Sequence, residues 1–247
     1  MHYYLAGPLS KLVGRISEGR GRVLIAVDDP SLSLKDFESL VLRTKELVAG
    51  YKVGVPYILS FGLDSIRDII RRYEDAYFIA DLKLADVDVV MSLTVRVARA
   101  GGFDGVIAHG FVGREGGLEG LHKVCMDLNM DLYVLVSMSH PGSLEIYDLV
   151  MDKVLALVEV LKPTGVVAPA TRSNVIKYVR QRLGRHYIII SPGVGVQGAE
   201  FGSALCAGAD FEIVGRAITK SEDVVRATKY VIKAQEDYVR SRKCVGD

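Results

Sequence analysis

Eight short apolar runs, rich in β-branched residues, alternate along this chain with eight segments whose apolar residues recur at helical spacing. Strands are predicted at 22–28, 51–59, 78–87, 105–109, 131–138, 165–168, 187–190 and 210–214. Helices are predicted at 34–49, 63–73, 89–100, 113–128, 173–183, 199–207 and 221–239, with one more ending near 161. Few long connections separate them. Two parallel neighbours need a crossover between them, so regular alternation builds a parallel sheet. Eight such units in 247 residues suit a closed (β/α)8 TIM barrel, which typically takes about 250. An open doubly wound sheet is the alternative. The glycine-rich turn follows the seventh strand and not the first, which favours the barrel. The chain, 1–247, is read as one α/β domain, with a short helix at 8–17 covering the barrel bottom.

Against this apolar background a few polar residues are out of place. The run Phe78-Ile-Ala-Asp-Leu-Lys-Leu-Ala-Asp-Val87 starts β-branched and apolar and ends with Asp81, Lys83 and Asp86. Strand side chains alternate, so Ile79, Asp81 and Lys83 share a face, and the residues before them say it is buried. Burying one unpaired charge costs about 20 kcal/mol in the idealised limit. Packing alone would place aliphatic residues there. Asp28 ends the first strand, His109 the fourth, Ser139 follows the fifth, Gln197 lies after the seventh and Arg216 after the eighth. A barrel gathers all of these at the C-terminal rim, where barrel active sites lie. Lys52, early in the second predicted strand, is the exception; an earlier strand start would bring it to the rim. Gly193, Gly195 and Gly198, followed by Gly215-Arg216, read as a phosphate cradle in the loops after strands seven and eight.

Composition excludes other classes. Lys+Arg 31 against Asp+Glu 30 leaves no basic stripe for nucleic acid, and the local cluster Arg180, Arg182 and Arg185 reads as the solvated face of an exposed helix end. No apolar span reaches the about 18 residues of a membrane helix, and the N-terminus lacks the core of a signal peptide. His2, His109, His122, His140 and His186 are dispersed with no acids at ligand spacing, so no metal is expected. Cys125, Cys206 and Cys244 are scattered and odd in number. They are expected to stay unpaired in a reducing cytoplasm. Sparse Asn and Gln beside abundant Lys, Arg and Glu lean toward a thermophilic source.

Asp81-x-Lys83-x-x-Asp86 resembles the signature of orotidine 5′-phosphate decarboxylases, most of all their archaeal branch. The likeness extends to Ala26-Val27-Asp28, Tyr51-Lys52-Val53-Gly54, Met138-Ser139-His140-Pro141-Gly142 and Ala168-Pro169-Ala170-Thr171-Arg172. It continues through Ser191-Pro-Gly-Val-Gly-Val-Gln-Gly198 and Val214-Gly215-Arg216. The resemblance implies a lyase that converts orotidine 5′-phosphate to UMP in pyrimidine nucleotide synthesis, without cofactor or metal, as a homodimer with shared sites. It implies that Asp28 and Lys52 bind substrate hydroxyls, Lys52 also joining the charge network. Asp81 faces the leaving carboxylate, Lys83 donates the proton, and Asp86 reaches the partner's site. Ser139 contacts the pyrimidine, Pro192 and Gln197 line a closing loop, and Gln197, Gly215 and Arg216 hold phosphate. One departure stands out. Where the family has a proline and then a threonine after the motif, this chain has Asp88 and Val90.

Overall fold

A computed structural model describes residues 10–242 and 244. Eight parallel strands close into a barrel in sequence order, β1 through β8, with β8 pairing back onto β1. The order is α1 (Lys11–Ser17), β1 (Gly21–Val27), α2 (Leu34–Thr44), β2 (Val48–Gly54), α3 (Val55–Phe61) and α4 (Leu63–Arg72). Next come β3 (Phe78–Leu84), α5 (Asp88–Ala100), β4 (Gly105–His109), α6 (Glu119–Asp127), β5 (Asp131–Leu135) and α7 (Tyr147–Leu161). The last are β6 (Gly165–Val167), α8 (Ser173–Leu183), β7 (Ile188–Pro192), α9 (Ser203–Cys206), β8 (Phe211–Val214), α10 (Arg216–Thr219) and α11 (Val224–Ser241).

Strand alternation divides the apolar residues into two cores. Leu24, Tyr77, Ile79, Tyr133, Ile190 and Phe211 belong to the barrel interior. Val23, Tyr51, Phe78, Val106, Val134 and Ile189, on the other face, pack under the helices. Leu12 of α1 joins the interior cluster with no exposed surface, so this helix plugs the barrel end opposite the rim. Ser10 caps it, accepting from Leu12 N, and Arg15 docks it by donating to the carbonyls of Lys45, Ala49 and Asp75. Positions 8 and 9 of the predicted helix lie outside the described residues.

Three expectations need correction. The second strand runs Val48–Gly54, not 51–59. The apolar run after it is helix α3, with a proline in its first turn. The earlier start places Lys52 near the strand's C-terminal end, which removes the exception noted above. Second, Cys206 and Cys244 are joined by a disulfide, tying the chain after α11 to α9, while Cys125 is free and buried. Third, Arg180, which has the look of a solvated helix charge, is buried. It donates to the carbonyls of Tyr187 and Gly208 and pairs with Asp210 at 2.6 Å.

Candidate active site

At the rim, four charges from three adjacent strands form an alternating row. Lys52 Nζ donates to Asp28 Oδ1 at 2.6 Å and to Asp81 Oδ2 at 2.9 Å. Lys83 Nζ donates to both Asp81 oxygens at 2.8 Å. The centre of the row is dry and its ends are wet. The side chains of Lys52 and Asp81 are 6% and 7% exposed, those of Asp28 and Lys83 52% and 43%. Burial pushes the Asp81 carboxyl up, but the Lys52 and Lys83 ammoniums outweigh it and hold the group below the ordinary carboxylate range. Burial likewise pulls Lys52 down, and Asp81 with Asp28 more than restores it. Each buried member of the row thus favours the charged form of the other.

Two backbone features create this geometry. Between Ala80 and Leu84, β3 advances four residues while β4 advances two, Val106 to Ala108. In this bulge Lys83 takes φ of +44°, a left-handed conformation rare for a residue with a side chain. Simple alternation therefore gives the right convergence of Asp81 and Lys83 but not the backbone that produces it. Left-handed strain of this kind costs about 1–3 kcal/mol and gathers at functional sites. The second feature is Gly54, beside Asp81 in register. A Cβ there would lie 2.0 Å from Asp28 Oδ1. Only glycine leaves room for that carboxylate to reach Lys52.

The row opens into a cavity of about 390 Å³. Asp28, Lys52, Asp81 and Lys83 line one side; Ser139, Pro192, Gln197, Gly215 and Arg216 line the rest. Its floor is apolar, built from Ala26, Ile107, Leu135 and Val167. The glycine-rich loop is shaped by left-handed turns at Gly193, Gly195 and Gly198, with φ of +107°, +74° and +109°. Gly215 caps α10, which begins at Arg216 but is only four residues long. The contribution of its dipole is correspondingly small.

Asp86 is the one candidate that the structure does not bring to this cavity. It lies exposed between β3 and α5, and its Oδ1 accepts from Val87 N at 2.7 Å. Asp88 begins α5 and lies against α6, where a Cβ on Gly120 would come within 2.5 Å of its Oδ2. Val90 is 44% exposed. His109 is a packed residue, its Nδ1 at 2.9 Å from the Tyr147 hydroxyl. That hydroxyl donates to Leu135 O, so the ring nitrogen donates to it. Among the described residues no group of three or more His, Cys, Asp or Glu side chains is arranged to hold a metal ion.

Sequence reasoning missed Asp29 and Thr219, which also line the cavity. Lys220 pairs with Asp29 at 2.6 Å and donates to Ser31 Oγ at 2.6 Å, joining the loop after β1 to the end of α10. The hydrogen bond from Lys220 lowers the Asp29 carboxyl to about 2. No local pattern connects residues so far apart in the chain.

A closed barrel with an alternating lysine–carboxylate row on its rim, facing a glycine-rich loop and an arginine, defines a TIM-barrel enzyme. The model of the orotidine 5′-phosphate decarboxylase / HUMPS family matches residues 21–231, and the chain belongs to that family. The orotidine 5′-phosphate decarboxylase of Aeropyrum pernix is 41% identical over 233 residues, covering 92% of each chain. That of Sulfurisphaera tokodaii is 42% identical over 196 residues, 78% of this chain and 86% of the relative. Among solved structures, orotidine 5′-monophosphate decarboxylase from Sulfolobus solfataricus superposes with a TM-score of 0.80 at 32% identity. It covers 89% of this chain and all of that one. The Methanocaldococcus jannaschii enzyme complexed with the inhibitor BMP gives a TM-score of 0.79 at 29% identity, over 87% and 99% of the two chains.

Proposed function

We infer that this chain decarboxylates orotidine 5′-phosphate to UMP. The observation that carries the reading is the Asp28–Lys52–Asp81–Lys83 row in a cavity whose far side holds Gln197, Gly215 and Arg216. The family also includes sugar-phosphate enzymes, but the relatives above are all named as decarboxylases of the nucleotide. The test is direct. Mixing purified protein with orotidine 5′-phosphate is expected to bleach the pyrimidine absorbance as UMP forms; no change in absorbance overturns the reading.

Loss of CO2 from C6 leaves an electron pair in an sp2 orbital that the ring does not delocalise. In this reading the protein stabilises it electrostatically. The Lys83 ammonium is fixed before substrate arrives, so no reorganisation is needed as charge moves from the carboxylate to C6. Lys83 then delivers its proton to C6. Asp81 beside the substrate carboxylate is repelled by about 4 kcal/mol at about 4 Å and an effective dielectric of 20. Departure of CO2 relieves that repulsion. Asp28 and Lys52 bind substrate hydroxyls, and Ser139 contacts the pyrimidine. Gln197, Gly215 and Arg216 grip the phosphate, whose remote binding energy closes the 192–198 loop over the ring.

Arg216→Ala is expected to weaken UMP by about 30- to 5,000-fold, the range for losing one partner of a close charge pair, while uridine binding changes little. Titration calorimetry with both ligands checks this, and equal losses remove the phosphate role.

The reading makes the active unit a homodimer. Asp86 stands outside its own cavity, and α5, which follows it, exposes Val89, Leu93 and Val97. Those positions recur every four residues and form one unpartnered apolar stripe. A second copy laid on this stripe would cover it and carry Asp86 toward the neighbouring Lys83. No helix among the described residues is long and apolar enough to cross a membrane, and the reading places the enzyme in the cytoplasm. The Cys206–Cys244 bond fits there if the source is a hyperthermophile, whose intracellular proteins are often disulfide-rich.

A further inference from the structure

Behind the cavity wall lies a second polar cluster that no part of the chemistry uses. Asp148, at the start of α7, accepts at Oδ1 from Ser137 Oγ and Ser143 Oγ, both at 3.0 Å. Arg172, just before α8, grips the same carboxylate with both terminal nitrogens. Its Nη1 reaches Asp148 Oδ1 at 3.0 Å and Ser137 Oγ at 3.1 Å, and its Nη2 pairs with Oδ2. Ser143 Oγ also accepts from Met138 N at 3.1 Å. Ser137 and Ser143 are 1% and 2% exposed, so these hydroxyls depend on protein partners. The Arg172 guanidinium, the principal cause, holds the Asp148 carboxyl below its ordinary range.

Ser137 of this cluster lines the cavity itself, and main-chain bonds join the cluster to the site at two further places. On one side the bonded amide is that of Met138, which with Ser139 lines the cavity. On the other, Arg172 anchors the segment 170–172. Ala170 N donates to Pro192 O at 2.8 Å. A Cβ on Gly193 would meet Thr171 Cγ2 at 3.2 Å and Gln197 Oε1 at 3.3 Å. One carboxylate therefore ties the segment bearing Ser139 to the segment supporting the first turn of the glycine-rich loop. Asp148, Ser143 and Arg172 do not line the cavity.

We propose that Asp148 is a positioning residue for pyrimidine recognition: through Ser143 and Arg172 it holds the Ser139 segment in register with the 192–198 loop. This rests on the decarboxylase reading, which wild-type turnover tests separately. The deciding measurement compares UMP, which carries the base, with ribose 5-phosphate, which does not. Asp148→Asn keeps the side-chain volume but discharges the carboxylate. It is expected to lower kcat/KM for orotidine 5′-phosphate and affinity for UMP about 10- to 100-fold, the range for losing hydrogen bonds to a charged group. Ribose 5-phosphate affinity is expected to fall far less, because Gly215 and Arg216 lie after β8, outside the tied segments, and only Gln197 of the phosphate contacts sits on the tied loop. Ser143→Ala, which keeps the Arg172–Asp148 pair and removes the hydroxyl that joins the Met138 amide to Asp148 Oδ1, is expected to show a smaller loss in the same direction. It decides the matter if Asp148→Asn fails to fold. Parallel loss of UMP and ribose 5-phosphate would mean a general brace of the rim and overturn the proposal. So would unchanged kcat/KM, or wild-type protein that binds UMP no more tightly than ribose 5-phosphate.

Discussion

Lys83→Ala is expected to lower turnover by at least about 10⁴-fold, with the fold intact. Positioned proton transfer contributes about 10²- to 10⁴-fold. Loss of one preorganised electrostatic partner costs about 10²- to 10³-fold. The same ammonium supplies both, so one substitution removes both. The variant should still fold. Lys83 is 43% exposed, and Asp81 keeps its buried partner Lys52 at 2.9 Å. Alanine also inherits the φ of +44°, so the backbone strain is unchanged. Lys83→Gly relieves it and should be more stable than Lys83→Ala by about 1 kcal/mol, yet equally inactive. Single-turnover decarboxylation and urea unfolding of the two variants separate chemistry from stability. Near-normal activity in either variant removes the proton-donor role. A glycine variant less stable than the alanine variant removes the strained bulge.

Legibility from the sequence followed a physical division. The barrel was readable because its signal is local. Apolar runs of strand length alternate with amphipathic helices, and each run is interpretable by itself. Boundaries failed where two elements share one composition. Val53, Val55 and Ile58 make a continuous apolar run, but the strand stops at Gly54 and Val55–Phe61 is helix. Periodicity cannot separate a buried strand from a buried helix over so short a span. The glycine-rich 113–118 segment read as helix is irregular, with Gly113 and Gly116 at positive φ.

The candidate site was readable for the opposite reason. Asp81 and Lys83 contradict their surroundings, and a buried charge among aliphatic residues is visible in one dimension. What stayed hidden were pairings that exist only after folding. Lys220 meets Ser31 across 189 positions, Arg172 meets Ser137 across 35, and Cys206 meets Cys244 across 38. Arg180 misled because a helix-end arginine is usually solvated, and nothing local says that the chain returns at Gly208 and Asp210 to enclose it. The Lys83 backbone was likewise hidden, since a bulge is a property of two strands together.

Mixing two dead variants is expected to restore activity. In the homodimer proposed above, each site combines Lys83 of one subunit with Asp86 of the other. A heterodimer of Lys83→Ala and Asp86→Ala subunits then has one site lacking both groups and one site lacking neither. Random reassortment makes half of all dimers mixed, so about one quarter of all sites regain the full set. Against a Lys83→Ala parent reduced at least about 10⁴-fold that recovery exceeds about 10³-fold, and against an Asp86→Ala parent reduced about 10²- to 10³-fold it exceeds about 20-fold. The structure supplies the reason to expect it. Asp86 is exposed, lies outside the cavity formed by its own chain, and accepts from the adjacent Val87 amide. Among the described residues it makes no ion pair with its own Lys83, which pairs with Asp81, and it precedes the apolar stripe of Val89, Leu93 and Val97 that a second copy would cover. Differently tagged subunits, reassorted and purified as verified heterodimers, give the measurement. Heterodimers as inactive as their parents would show that each site is complete within one chain, and that the exposed stripe serves some contact other than catalysis.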